Sequence, residues 1–398
     1  MTTSSVRAIR KIRIPDPVRV TNALRSPDQG PRILFFSGGT ALRDTSQRLV
    51  DYTHNSVHLV TPFDSGGSSA VLRRYFDMPA IGDLRSRLMV LADRTLNGVT
   101  EVYDLFTYRL PKTASPEELR AELGAMVRGS HPLVARISDP MRKTVLHHLD
   151  IFEDSIDLDF NLRGASIGNL ILTAGYLEHS RHIDPIVSIY SQLVKVRGEV
   201  RLLTNSNLQL RAVLANGAHL IGQHLITGKE TPSLDSTVTE LCLVDPAKGN
   251  VPFRPPIGNK IRDAIRNADL ICYPVGSFYS SLIANLLPAG VGQAISQSPC
   301  PKVFIPNTFA DPESLGLSLA DQTRILLRHL RADAPGTIAT RDVLDVVLLD
   351  PTISYPGAEN PEQELAALGV PVMLTPLAVK RTGAIDPRLL CEALLSLI

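Results

Sequence analysis

Short apolar runs alternate with amphipathic stretches along most of this chain, and that alternation predicts an α/β fold built on a doubly wound, mostly parallel sheet. Residues 33–36 (Ile-Leu-Phe-Phe) read as a first strand, 41–50 as a helix and 57–61 as a second strand. Buried parallel strands carry such unbroken apolar runs because helices cover both faces of their sheet. Residues 82–93 read as a helix, since Leu84, Leu88 and Leu91 fall on one face and Asp83 sits near the positive N-terminal end. The helical pattern of 115–158 predicts an inserted layer that could wall a pocket, and 168–177 and 183–194 continue the helical character.

The period then changes. Residues 200–203, 209–215 and 219–227 alternate as strands do, and Asn216-Gly217 between the last two is a hairpin signal. With 238–244 they predict a small antiparallel subsheet within about 198–245. The strand and helix alternation resumes with a helix at 261–267, a strand at 269–273, a helix at 277–287, a strand at 302–306, a helix at 312–330 and a strand at 343–349. A strand at 370–374 and a helix at 387–397 close the chain. The expected organisation is an N-terminal arm (1–30), a nucleotide-binding α/β domain (31–330) and an α/β extension (331–398) packed on that domain.

With 398 residues the chain can bury a large core. Lys and Arg total 41 against 40 Asp and Glu, so the net charge of +1 gives no field arguing for nucleic acid or an anionic membrane, and a small-molecule partner is expected. Cys242, Cys272, Cys300 and Cys391 lack the spacing of a zinc site and read as reduced, buried thiols. No apolar run reaches the ~18 residues of a membrane span, and a cytoplasmic protein is expected. His147, His148, His179 and His182 form no metal motif, and neither a nucleophile elbow nor a Lys-bearing phosphate loop is present.

The candidate chemistry lies in glycine-rich turns at the ends of strands. Ser37-Gly38-Gly39-Thr40, Asp64-Ser65-Gly66-Gly67-Ser68-Ser69 and Gly82-Asp83 follow the first two strands, and Gly276-Ser277 follows the strand at 269–273. Backbone N–H groups bunched by glycine ahead of a helix form a concavity for phosphate. Each turn could instead be a plain strand-to-helix connection, with Ser68 or Ser69 as a helix cap. Asp64 is the residue chosen as a Mg²⁺ ligand or hydroxyl-orienting base, because a hard cation bridging phosphates needs oxygen donors. Arg85 is equally a phosphate partner or a surface group, whereas Arg73, Arg74 and Arg87 read as surface arginines. Gly168-Asn169 opens an apolar helix, where Asn169 either caps or reads a base or sugar, and Asn307 either reads a base or closes a turn.

These segments resemble, in order, the family of 2-phospho-L-lactate transferases (CofD) and the related gluconeogenesis factors (YvcK). The resemblance rests on Ser37–Thr40, on Asp-x-Gly-Gly-Ser-Ser-x-x-Leu-Arg-Arg from Asp64 to Arg74, and on Pro-x-x-Gly-Asp-Leu-Arg from Pro79 to Arg85. It continues through residues 167–172, 210–217 and 276–287. Two departures stand out: Ala41 replaces a family glycine, and Pro274-Val275 replaces a Gly-Pro pair. The resemblance implies a Rossmann-like sheet and a nucleoside diphosphate or nucleotide-linked ligand. It implies Mg²⁺-dependent transfer of a phosphorylated group to an acceptor hydroxyl, with Asp64 on the metal and Arg85 on developing charge. Gly38, Gly39, Thr40, Gly66, Gly67, Ser68, Ser69, Gly82, Asp83, Gly168, Asn169, Gly276, Ser277 and Asn307 are then the expected ligand-binding set. The alternative it carries is a non-catalytic, UDP-sugar-binding regulator. Dimers are common in these families, so a homodimer is expected.

Overall fold

The computed structural model describes residues 12–96, 99–228 and 234–398. Its centre is a seven-stranded sheet made of β1 (Ile33–Ser37), β2 (Val57–Val60), β3 (Glu199–Leu202), β8 (Leu270–Tyr273), β9 (Lys302–Phe304), β10 (Val346–Leu349) and β11 (Val372–Leu374). Between β3 and β8 in sequence lie β4 (Gln209–Leu214), β5 (His219–Ile221), β6 (Val238–Asp245) and β7 (Val251–Pro252), which form a separate antiparallel sheet in the order β5-β4-β6-β7. The large sheet runs β11-β10-β9-β8-β1-β2-β3, and its pairings are parallel.

Alternate residues of the central strands feed opposite layers. Leu34 and Phe36 of β1, with Ile271 and Tyr273 of β8, pack against Leu210, Ala212 and Leu241 of the small sheet and helix Leu319–Leu330. Ile33, Phe35, Leu270 and Cys272 face the other way, onto helices Arg43–Leu49 and Pro387–Ser396. Each strand is therefore buried on both sides, which is why its sequence is an apolar run without alternation.

Three expectations change. Residues 199–202 do not join the small sheet; they pair in parallel with β2, Val57 opposite Glu199. The long crossover from β2 returns to the large sheet, and that pairing is invisible to local alternation. Residues 219–227 form a strand only to Ile221, because Gly222 (φ +116°) breaks it and helix Gln223–Thr227 follows. The helix expected at 277–287 is a π-turn, Phe278–Leu282, followed by a 3₁₀ turn, Ile283–Leu286.

The 115–158 insert comprises helices Pro116–Val127, Pro132–Ala135 and Met141–Asp154, the first opened by a Ser115/Glu118 capping box. Val145, Leu149 and Phe152 are fully buried in a cluster with Leu170 and Leu172 of helix Ile167–Glu178. The insert thus hides its apolar face within the chain and contributes no residue to the crevice described next.

Candidate functional site

Successive strands run outward from β1 through β2 to β3, and from β8 through β9 to β11 on the opposite side. The order reverses between β1 and β8, so the chains leaving those two strands diverge and open a crevice, the usual ligand position of such sheets. A cleft of about 240 Å³ lies there, lined by Gly38, Gly39, Thr40, Asp64, Gly66 and Asp83 on one side and Pro274 to Ser277 with Ser280 and Ser281 on the other.

The loop after β1 is held by a buried arginine. Arg87, only 2% exposed, donates from Nη2 to the carbonyls of Gly38 (3.2 Å) and Gly39 (3.3 Å) and from Nη1 to Leu42 O (3.2 Å) and Ser46 Oγ (2.6 Å). The N–H groups of Gly39 and Thr40 have no acceptor among the described residues. Gly38 is glycine for a packing reason: a methyl there would lie 2.7 Å from Ser281 Cβ.

Arg73 does the same for the loop after β2. It is 4% exposed and donates to Phe63 O (3.2 Å) and Asp64 O (2.8 Å) while anchored on Asn207 Oδ1 (2.7 Å) and Leu208 O (2.6 Å). Burial pulls both guanidiniums from their ordinary value down to about 10, with nearby carboxylates (Asp64 and Asp77 for Arg73, Asp83 for Arg87) acting the other way, so both stay charged. The surface reading of Arg73 and Arg87 is corrected here: both are loop clamps, and Arg74 alone of the three stays at the surface. Asp64 Oδ1 accepts the Gly66 N–H at 3.0 Å, and Gly67, at φ +53°, starts helix Gly67–Phe76 without any side-chain cap. Neither Ser68 nor Ser69 caps it, so its first-turn amides have no side-chain cap. Gly82 admits its neighbours closely, since a methyl there would lie 2.6 Å from Ser69 Oγ and 3.4 Å from Asp64 Oδ2.

The β8 side differs. Asn307 brackets Gly276 (φ +145°), accepting from its N–H at 2.8 Å and donating to its carbonyl at 2.7 Å. The amide of Phe278 donates to Asp311 Oδ2 (2.7 Å), and those of Tyr279 and Ser280 to Glu313 Oε2 (2.9 and 2.8 Å). Ser280 Oγ adds a 2.5 Å bond to Glu313 Oε1. Burial, with the charge of Asp311 adding to it, pushes the Glu313 carboxyl up to about 7 against the hydrogen bonds it accepts. Of the two residues expected to hold phosphate after β8, Gly276 has its amide taken by Asn307, which closes a turn, whereas the amide of Ser277 has no acceptor among the described residues; the next three amides are taken by Asp311 and Glu313.

The roof is helix Gln223–Thr227, from which Gln223, His224 and Thr227 line the cleft. The His224 backbone N–H donates to Ser65 Oγ (3.2 Å), and the Ser65 hydroxyl lies 2.7 Å from His224 Nδ1, which ties the roof to the loop after β2.

The sequence model described as 2-phospho-L-lactate transferase CofD matches residues 33–376, which contain every strand of both sheets. The chain belongs to the CofD family. Among its relatives, the gluconeogenesis factor of Bacillus subtilis is 28% identical over 316 residues, 76% of either chain. A Nostoc protein provisionally named a gluconeogenesis factor is 29% identical over 356 residues, and this chain spans 62% of its length. A crystal structure of a UPF0052-family protein from Bacillus halodurans superposes with a TM-score of 0.64 at 22% identity, covering 92% of this chain and 99% of that one, a likeness of fold.

Within this CofD-family chain the expected site residues fall into three groups. Gly38, Gly39, Thr40, Asp64, Gly66, Asp83, Gly276 and Ser277 line the cleft. Gly67, Ser68, Ser69 and Gly82 stand behind the loop after β2, with Ser68 Oγ accepting from Arg109 (3.2 Å) and Asn169 Nδ2 (3.4 Å). Gly168, Asn169, Asn307 and Arg85 do not line the cleft. Gly168 is required by packing, since a methyl would lie 2.6 Å from Phe106 O and 2.8 Å from Arg85 Cδ. Arg85 points to a neighbouring cavity, which removes it from direct contact with a ligand confined to the cleft. The methyl of Ala41 fills space 3.6 Å from where a Gly276 side chain would begin, so this departure packs the two loops together.

For Mg²⁺ the donor set fits in a limited way. Among the described residues no three His, Cys, Asp or Glu side chains converge. Asp64 and Asp83 are two carboxylates on one side of the cleft, and Mg²⁺ is commonly held by one or two carboxylates, water and the ligand's phosphates. No helix among the described residues is long and apolar enough to cross a membrane.

Proposed function

We propose that the cleft binds a nucleoside-diphosphate-linked metabolite and transfers its phosphorylated group to an acceptor hydroxyl, whose oxygen bonds to the outer phosphorus as the P–O–P bridge breaks and nucleoside monophosphate leaves; Asp64 and Asp83 would hold Mg²⁺. One observation carries this reading: the open amides of Gly39 and Thr40 share a cleft wall with two carboxylates. Amides alone suffice to bind an anion, whereas carboxylates beside them oppose it unless a cation intervenes. Bound Mg²⁺ would supply charge neutralisation at the diphosphate. The protein's part is positional: Arg87 and Arg73 fix the loop carbonyls, and His224 brings an imidazole over the cleft where an acceptor hydroxyl could donate its proton.

A second reading is a non-catalytic regulator that binds the same class of ligand, favoured by the gluconeogenesis-factor name of its relatives. Thermal-shift titration with GDP, UDP and their sugar conjugates, with and without Mg²⁺, tests the shared part. An unchanged melting temperature throughout refutes the ligand class; saturable binding without turnover on any acceptor hydroxyl supports the regulator. We further propose a two-fold homodimer, supported by the prevalence of that symmetry rather than by the insert, whose apolar face is internal. A light-scattering mass staying near 43.3 kDa at micromolar concentrations refutes it.

A further inference from the structure

Behind the loop after β1 lies a cavity of about 150 Å³ that shares only Gly39 and Thr40 with the nucleotide cleft. Its other walls include Arg43, Arg85, Arg87, Tyr103 and Thr107. We propose that it is a second anion subsite, taking one phosphate or carboxylate group on Arg85 and Arg43.

Arg85 carries the argument. It is 8% exposed, its Nη1 donates to Phe106 O at 3.1 Å and its Nη2 reaches Ser86 Oγ at 3.4 Å, but its Nε is buried without a partner among the described residues. A guanidinium has five donors in a fixed fork matched to an oxyanion; the Nε is closed off from open space, so an ion in the cavity would be met by the terminal nitrogens of Arg85. Arg87, by contrast, has both terminal nitrogens engaged by the loop and by Ser46. Arg109 adds positive charge within reach of Arg85, and Asp83 is the carboxylate acting on both Arg85 and Arg87. The cluster is therefore positive overall, and burial together with Arg109 lowers the Arg85 guanidinium to about 10, so it remains charged at neutral pH. Arg43, exposed at the first turn of helix Arg43–Leu49, supplies a mobile cation at the mouth. Thr40, Ser86 and Thr107 add hydroxyls to this wall, and Met89 and Val90 form its apolar part.

The anion has two possible sources: a separate small ion, or an acidic group on the molecule whose diphosphate occupies the cleft. Isothermal titration with inorganic phosphate as probe separates them. Phosphate is expected to bind the wild-type chain in the presence of saturating UDP or GDP, and Arg85→Gln and Arg43→Gln are each expected to weaken it by roughly tenfold or more, as for loss of a charge-assisted contact. Arg74→Gln, at the surface elsewhere, should leave phosphate binding unchanged. If nucleotide conjugates with an acidic tail displace phosphate and neutral ones do not, the anion belongs to the cleft ligand; if neither does, it is a separate ion. Should Arg85→Gln fail to fold, Arg43→Gln and Arg85→Lys carry the test, the latter expected to retain part of the affinity. No binding at millimolar phosphate, full displacement by UDP or GDP, or equal affinity in Arg43→Gln and wild type overturns the proposal. Phosphate binding that depends on Arg43 without any nucleotide binding would leave this subsite standing and refute the nucleotide reading alone.

Discussion

Replacing Arg87 by Met tests whether the buried arginine serves the fold or the cleft. Its removal leaves Leu42 O partnered, because Ser46 N–H and Oγ already donate to it at 2.9 and 2.7 Å, and leaves the Ser46 hydroxyl its donated bond while taking away the one it accepts. The carbonyls of Gly38 and Gly39 border the cleft and can be rehydrated from it. On the other side of the balance, burial lowers the guanidinium to about 10, a penalty of roughly 3 kcal/mol on its charged form that the variant relieves. The lost bonds and this relief are of similar size, so global stability is expected to move by no more than about 2 kcal/mol in either direction.

Ligand affinity should respond differently. Without the clamp, Gly38 and Gly39 must be ordered when the ligand binds, at about 1–2 kcal/mol for each residue, which predicts a Kd increase on the order of 100-fold. Calorimetric titration of the nucleoside diphosphate identified by screening, alongside urea denaturation of the same samples, measures both quantities. A large stability loss with unchanged affinity would refute the reasoning, since it would make Arg87 a core residue with no role in presenting the loop.

Asp64→Asn keeps the side chain's shape and removes its charge; Mg²⁺-dependent enhancement of nucleotide binding, and any transfer activity, should vanish while metal-free binding changes little, and full Mg²⁺ dependence in the variant would discharge Asp64 from the metal. Gly38→Ala should destabilise by about 1–3 kcal/mol through the 2.7 Å approach to Ser281 Cβ, and Ser281→Gly should recover most of that loss in a thermal melt; no recovery would place the strain elsewhere. Glu313 is raised from 4.5 to about 7 in the fold, so the folded state holds its proton more tightly than the unfolded chain; its favourable contribution is complete below the unfolded value and is lost as pH rises through about 7, a change of roughly 3 kcal/mol. Glu313→Gln should flatten that part of the stability profile between pH 5 and pH 8, and an unaltered slope in urea titrations would assign it to other groups.

The loops after β1 and β2 were legible in the sequence because an apolar strand running into paired glycines is a local pattern with a local cause. What holds those loops was not. Arg73 and Arg87 lie on amphipathic helices at positions that look solvated, and only the folding of helices Gly67–Phe76 and Gly82–Leu91 against the sheet turns them inward. Gln223 and His224 were hidden for another reason: alternation through 219–227 imitates a strand, and the signal against it was the single Gly222. The course of 199–202 depended on a pairing with β2 some 140 positions away, Val60 opposite Leu202, which no window of local periodicity spans. Glu313 lies in a short 3₁₀ turn, Pro312–Ser314, where a carboxylate ordinarily reads as part of a helix start.

That last residue gives the crevice a direction. On the β8 side, the amides of Gly276, Phe278, Tyr279 and Ser280 are taken by Asn307, Asp311 and Glu313, so this half presents no open donors from those residues and has acidic groups behind it. On the β1 and β2 side, the amides of Gly39 and Thr40 and the start of helix Gly67–Phe76 remain open, with guanidiniums behind the loops. A diphosphate along the β1 and β2 wall meets the open amides of Gly39 and Thr40 but also the carboxylates of Asp64 and Asp83, so that placement requires a cation between them, whereas the β8 wall offers the amide of Ser277. With a cation on Asp64 and Asp83, the proposed ligand would direct its phosphates to the amides of Gly39 and Thr40.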